Sequence, residues 1–260
     1  MIRLQINVRW SIFIIIGVCA GLPALVWSAS DLIHHRKNGH RISAFIILLL
    51  LTDCVEIFLS PVILLKLFLY ELDWNEDWTF HVSVSLWSSS RLCGLLLNQL
   101  VALEGILSVK YPLHTVSGFS SPCPITCYIL VFLCIIIGEI FFNPMYNLFF
   151  YVLVFITSVI TWVISSFALC CTDRRSHTSR KPDRHIWVVF IFTLLVLFLP
   201  NVLLSLFSFF NRSFPLPLHV RHIPRILVSV RLISDPLVCV LVCRQNLSVQ
   251  TSQPDRTSLV

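Results

Sequence analysis

Seven apolar runs dominate the sequence, at about residues 10–33, 42–69, 79–109, 124–142, 146–169, 185–210 and 223–242. A helix that crosses the hydrocarbon core of a bilayer takes roughly 20 mostly apolar residues, and each run is about that long or longer. The composition agrees, because 57% of the chain is hydrophobic, only 12% is charged and the mean hydropathy is +0.85. A soluble globule of this size needs more polar surface. The expected architecture is therefore an all-α membrane protein, a seven-helix bundle over residues 1–243 with a short tail at 244–260. The first run is read as a permanent anchor, since it is long, lacks a clear small-residue cleavage site and passes directly into a basic loop. No internal repeat, low-complexity tract or linker marks a second domain.

Short loops rich in Lys and Arg stay disproportionately in the cytoplasm. Loops one, two and three and the tail carry Arg36, Lys37, Arg41, Lys110, Arg174, Arg175, Arg180, Lys181, Arg184, Arg244 and Arg256. The other side carries Arg3, Arg9, Lys66, Arg212, Arg221 and Arg225, with the acidic residues Glu71, Asp73, Glu76 and Asp77. The N-terminus is accordingly placed outside and the C-terminus in the cytosol. The net charge of +6 reflects this topology, and nucleic acid is not needed as a partner to explain it. The ten cysteines fall within the runs or near their cytoplasmic ends, so no extracellular pair is offered for a disulfide. Cys170, Cys171 and Cys243 sit where reversible palmitoylation occurs, and small apolar filler is the alternative for each.

Four local patterns stand out along the runs. The second contains Leu51-Thr52-Asp53-Cys54 followed by Pro61, and the third ends in Leu103-Glu104-Gly105-Ile106-Leu107-Ser108-Val109-Lys110-Tyr111-Pro112-Leu113. The sixth holds Phe198-Leu199-Pro200, and the seventh holds Ser234-Asp235-Pro236-Leu237-Val238-Cys239. In this order they resemble the landmarks of rhodopsin-like G-protein-coupled receptors: the helix-two aspartate, the Asp/Glu-Arg-Tyr stretch with its Tyr-Pro-Leu, the Cys-Trp-x-Pro kink and the Asn/Asp-Pro-x-x-Tyr ending. Proline kinks alone are common in membrane helices, whereas four patterns in register over nearly the whole chain are specific. Gly21-Leu22-Pro23-Ala24 also resembles a family stretch, with Leu25 where an asparagine is expected.

That resemblance implies a plasma-membrane receptor whose membrane lipid is its solvent, with an extracellular ligand and a heterotrimeric G protein as partners and no cofactor. In style it is nearest to the purinergic and hydroxycarboxylic-acid receptor branch. Helices six and seven would bend at Pro200 and Pro236. Glu104 and Gly105 occupy the cytoplasmic switch, where Gly105 replaces the motif arginine that packs against the G protein. Phe80 stands in place of the helix-three cysteine, the second extracellular loop is short and lacks its partner, and Cys239 replaces the last tyrosine. A receptor fold that binds, scavenges or pairs without G-protein signalling is the alternative reading. A transporter using the intramembrane charges would show inverted repeats, and none is found.

Ionisable residues deep in a membrane are functional candidates by default. Those in the runs include Asp53 and Glu56 in the second, Arg91 and Glu104 in the third, and Arg231 and Asp235 in the seventh. Arg231 and Asp235 are four residues apart and share a helical face. In the family, the counterparts of Asp53 and Asp235 hold a sodium ion. The expectation here is a polar network of Asp53, Arg231, Asp235 and Asn98, with the Arg231 guanidinium as a tethered cation. A merely structural ion pair is the alternative. Arg91 and Arg225 match family positions that hold carboxylate or phosphate, so an outward-facing site of Arg91, Arg225, Trp87 and Glu56 is expected to take an anionic small molecule. Neutralisation of Arg91 by Glu56 is the competing reading.

His81, His219 and His222 fall on the outer side, where histidine can report acidification. Asn211-Arg212-Ser213 is a glycosylation sequon in the third extracellular loop. The final Thr257-Ser258-Leu259-Val260 fits a PDZ-domain ligand. No nucleophile with its base, phosphate loop or metal-spaced His/Cys cluster points to an enzyme or a metal site.

Overall fold

The structure, a computed structural model, describes residues 2–38, 42–69, 78–110, 122–141 and 230–251, with isolated positions between 152 and 207. Five helices form: α1 (Ile2–Lys37), α2 (Ala44–Leu69), α3 (Trp78–Lys110), α4 (Pro122–Phe141) and α5 (Arg231–Thr251). No strand occurs among the described residues. The runs at 146–169 and 185–210 fall largely outside the described residues. Those of their positions that are described, Pro200 among them, are helical.

Helix boundaries differ from the apolar runs in two places. α1 begins at Ile2, ahead of the apolar run, because hydropathy marks the lipid-facing length of a helix and not its hydrogen-bonded length. It ends on the basic residues His34, His35, Arg36 and Lys37, and the charges of Arg36 and Lys37 suit the negative end of the helix dipole. α5 runs past Cys243 to Thr251, so its helix continues into the segment expected to be tail. Ser43 precedes α2 as an N-cap, its Oγ accepting the Phe45 backbone N–H at 3.2 Å.

α2 shows how these helices partition their surfaces. Leu49, Asp53, Glu56, Ile57, Ser60 and Ile63 are buried at helical spacing, while Ile47, Leu51, Phe58, Val62 and Leu65 point outward, Phe58 with 76% of its surface exposed. Carboxylates inside and leucine and phenylalanine outside invert the pattern of a soluble amphipathic helix. Among the described residues, two helical stretches are long and apolar enough to cross a membrane, Ile14–Lys37 in α1 and Ala44–Leu65 in α2. Only 28% and 44% of their apolar windows are buried within the protein, so much of their apolar surface has no protein partner. Several hydroxyls along the helices bond to their own backbone, as in Ser30 to Val26 O and Ser90 to Leu86 O, which satisfies them without water.

α3 lies at the centre, packed on α2, α4 and α5, and α1 closes the other side against α2 and α5. The main core joins Leu49, Leu97, Val101, Val238 and Val242 from α2, α3 and α5. A methyl built on Gly21 would sit 2.8 Å from Leu232 Cβ, so a glycine is what lets α1 approach α5 this closely. Cys243 is buried in the core and only 5% exposed, which favours the filler reading over palmitoylation at that thiol.

Candidate functional site

The packing of α2, α3 and α5 encloses a network of charges with essentially no solvent contact. Asp53, Asn98, Arg231 and Asp235 are each 0% exposed, and Glu56 is 1%. Each comes from the inward stripe of its helix: Asp53 and Glu56 lie one turn apart on α2, and Arg231 and Asp235 one turn apart on α5.

Arg231 is the hub. Its Nη2 donates to Glu56 Oε2 at 2.5 Å and lies 3.3 Å from Asp53 Oδ1, while Nη1 lies 3.3 Å from Asp235 Oδ2. Glu56 is shared, because its other oxygen, Oε1, is 3.0 Å from Arg91 Nε. On the far side Asn98 donates through Nδ2 to Asp235 Oδ1. The network thus ties two arginines through one glutamate and links three helices. A planar fork with several donors suits this task better than an ammonium would.

Room for the hub is made by Gly94. A Cβ built there would fall 1.0 Å from Arg231 Nη1 and 2.2 Å from Cζ, so the guanidinium occupies the volume that any other residue's side chain would fill. Sequence reasoning missed Gly94, whose signal is a lone glycine amid the apolar middle of the third run. It also missed Glu56 as a partner of Arg231, having placed Glu56 in a ligand site.

At one end of the network Arg91 lies over Trp87, its Cζ 4.3 Å from the ring centroid, a cation–π contact that offsets some of the cost of burial. Trp87 Nε1 donates to Ser60 Oγ at 3.1 Å, and Ser60 in turn donates to the Glu56 carbonyl. Arg91, Trp87 and Glu56 are therefore brought together as expected of neighbours, but with the Arg91 charge already engaged by Glu56. The neutralisation reading describes Arg91 better than an empty anion-binding guanidinium does. Arg225, Asn211, His219 and His222 lie outside the described residues. His81 is exposed and stacked on Trp78, with the rings nearly parallel at 6.1 Å.

Toward the other end of α3, Glu104 is buried and accepts a hydrogen bond from Ser43 Oγ at 2.5 Å. Gly105 follows it and is buried. Near the end of α1, Asp31 lies 3.5 Å from His35 Nε2 on its own helix and 3.6 Å from Arg244 Nη2 on α5. Among the described residues no group of His, Cys, Asp and Glu side chains is arranged to hold a metal ion. The free thiols described are Cys19, Cys54, Cys93, Cys134, Cys239 and Cys243.

No protein-family model matches the chain, and no curated protein matches it. The functional reading accordingly rests on the residues themselves.

Proposed function

We propose that the chain is a divergent seven-helix membrane receptor of the rhodopsin-like type, which binds an extracellular ligand and passes a change of helix arrangement to its cytoplasmic face. The observation that carries this reading is the convergence of Asp53, Asn98 and Asp235 around Arg231. Three positions that the resemblance draws from helices two, three and seven meet at one buried point, between helices whose outer faces are apolar. Arg231 stands where the family's sodium ion would, a cation that the chain carries with it. A ligand that separates α5 from α2 must break the Arg231–Glu56 pair, and it can do so only through its differential affinity for the two arrangements.

A second reading, a receptor fold without G-protein signalling, is favoured by one contact. Glu104 is held by Ser43, and the residue beside it is Gly105 in place of arginine, so the family's acid–arginine switch has no counterpart here. One pair of experiments tests both readings. Tags at the two ends, probed in intact and permeabilised cells, are expected to show the N-terminus outside and the C-terminus inside. Both ends on one side overturns the seven-helix reading. Ligand-independent coupling is then compared between the native chain and Gly105→Arg. Activity in both marks a working receptor, whereas activity only in the variant marks a fold that has lost its transducer contact.

A further inference from the structure

We infer that the end of the α1–α5 seam, where Asp31 meets Arg244, binds the headgroup of an anionic phospholipid.

The inference starts from the outer face of α1. Val26, Trp27 and Ile33 are large apolar side chains left exposed on a helix long and apolar enough to cross a bilayer. In a bilayer their neighbour is an acyl chain. The same face ends in polar residues. Asp31, His34 and Lys37 follow one another at a spacing of three, so they step round the last two turns of α1 with His34 in the middle. His34 also lies two turns beyond Trp27 on one side of the helix. Both His34 and Lys37 are exposed. Acyl chains resting on Val26 and Trp27 therefore carry a phosphate to the level of His34, with Lys37 on one side and Asp31 with its Arg244 on the other.

Charge says which headgroup fits. Lys37 and Arg244 flank the position, Arg36 stands in the same turn as Lys37, and among the described residues Asp31 is the carboxylate set against them. The next carboxylate toward this end, Glu104, is buried and already accepts the Ser43 hydroxyl. The negative pole of the α1 dipole offsets about half a charge, which leaves the rim cationic. An anionic headgroup neutralises it, whereas the zwitterion of phosphatidylcholine brings a cation of its own.

Arg244 is the arm that reaches the headgroup. Its side chain is 59% exposed, although Val242 and Cys243 just before it are buried, and its Nη2 stands 3.6 Å from Asp31 Oδ1, beyond hydrogen-bonding distance. The other Asp31 oxygen lies beside His35. A pair so loose and exposed holds little energy, and a guanidinium grips a phosphate through two parallel N–H donors. The headgroup and Asp31 thus compete for one fork, so Asp31 lowers the affinity that Lys37 and Arg244 supply. The arrangement needs α1 to cross a bilayer and does not need the chain to signal.

The test uses the purified full-length chain in mixed micelles of detergent and phosphatidylcholine. Phosphatidylserine is titrated in, and native mass spectrometry reads the share of protein that carries one bound phosphatidylserine. Lys37→Gln and Arg244→Gln should each weaken this binding about fivefold. Asp31→Asn should strengthen it by a similar factor, because it releases the guanidinium. Misfolding does not produce opposite signs from the two halves of one ion pair. Arg9→Gln, near the other end of α1, is expected to change nothing. Four results overturn the inference. Phosphatidylserine held no more tightly than phosphatidylcholine removes the site. Equal weakening by Arg9→Gln marks a general attraction to a positive chain. Asp31→Asn and Arg244→Gln weakening the binding alike marks the pair as a structural clasp. Displacement of phosphatidylserine by an equal concentration of free glycerol phosphate marks a site for a soluble anion.

Discussion

Glu56 Oε2 accepts a hydrogen bond from Arg231 Nη2 at 2.5 Å, although the residues lie 175 positions apart and both are buried. The contact fastens α5 to α2, and Glu56 Oε1 extends it to Arg91 on α3, so one side chain serves three helices. Its strength lies less in the attraction it adds than in what its loss would leave: two guanidiniums deep in an apolar interior with one carboxylate fewer between them.

The first prediction follows directly. Glu56→Gln should destabilise the protein by about 3–5 kcal/mol, since it strands buried charge. Asp53→Asn removes the least well-satisfied carboxylate and should cost less than about 1.5 kcal/mol. Paired melting curves in the same detergent check the order, and a milder effect at Glu56 than at Asp53 would contradict the assignment of Glu56 as the shared partner.

Gly94 offers a steric test. A methyl at this position meets the Arg231 guanidinium at 1.0 Å, so Gly94→Ala should cost about 3 kcal/mol or more by displacing the hub from its partners. Shortening the hub should restore space. Adding Arg231→Gln to Gly94→Ala is then expected to be less damaging than the two separate losses summed, a coupling of at least about 1 kcal/mol in a double-mutant cycle.

Toward the C-terminal end of α3 the Ser43–Glu104 hydrogen bond is the structural contact to probe. Ser43→Ala leaves a buried carboxylate without its hydroxyl donor and should cost about 1–3 kcal/mol. Glu104→Gln in the same background should recover part of that loss, because a neutral amide is cheaper to bury than a carboxylate. Additive effects of the two changes would mean that the pair does not act together.

Gly21 tests the contact of α1 with α5. A Cβ there lies 2.8 Å from Leu232 Cβ and 3.3 Å from the Leu232 carbonyl oxygen, neither of which is the loose end of a side chain. Gly21→Ala should therefore lower stability by about 1–3 kcal/mol, and Leu232→Ala alone should lower it by a cavity-sized amount of about 2–5 kcal/mol. A Gly21→Ala protein with an unchanged melting midpoint would show that these helices can part at no cost.

Hydropathy made α2 to α4 legible nearly to their ends, because apolar run and helix almost coincide there, whereas α1 extends beyond its run at both ends. Span two and α2 share even their last residue, Leu69. It was less informative for α5, which continues helical to Thr251 through Arg244, Gln245 and Asn246, polar residues that end an apolar run without ending a helix. The members of the ion network were also visible, since a carboxylate or guanidinium inside an apolar run needs a partner. The pairing was only half visible. Arg231 and Asp235 are joined by helical periodicity, a local property, and Asp53 was linked to them through the resemblance. The Glu56–Arg231 contact depends on how α5 is rotated against α2, which no local pattern encodes. Gly94 was hidden for the same reason: a glycine states that something comes close, and only the packed bundle says what.

The seat at Gly94 has a mechanical consequence. The guanidinium of Arg231 enters the side of α3 at the one residue there that has no side chain, with Cys93 before it and Leu95 after it both buried. Sliding α5 along α3 by a single turn would bring the arginine against a walled surface, and twisting α5 about its axis would pull it out of reach of both α2 carboxylates, Asp53 and Glu56, at once. The final helix is thereby keyed to one height and one angle, so that any working motion of it must be a tilt that lifts the key from its slot and returns it to the same place.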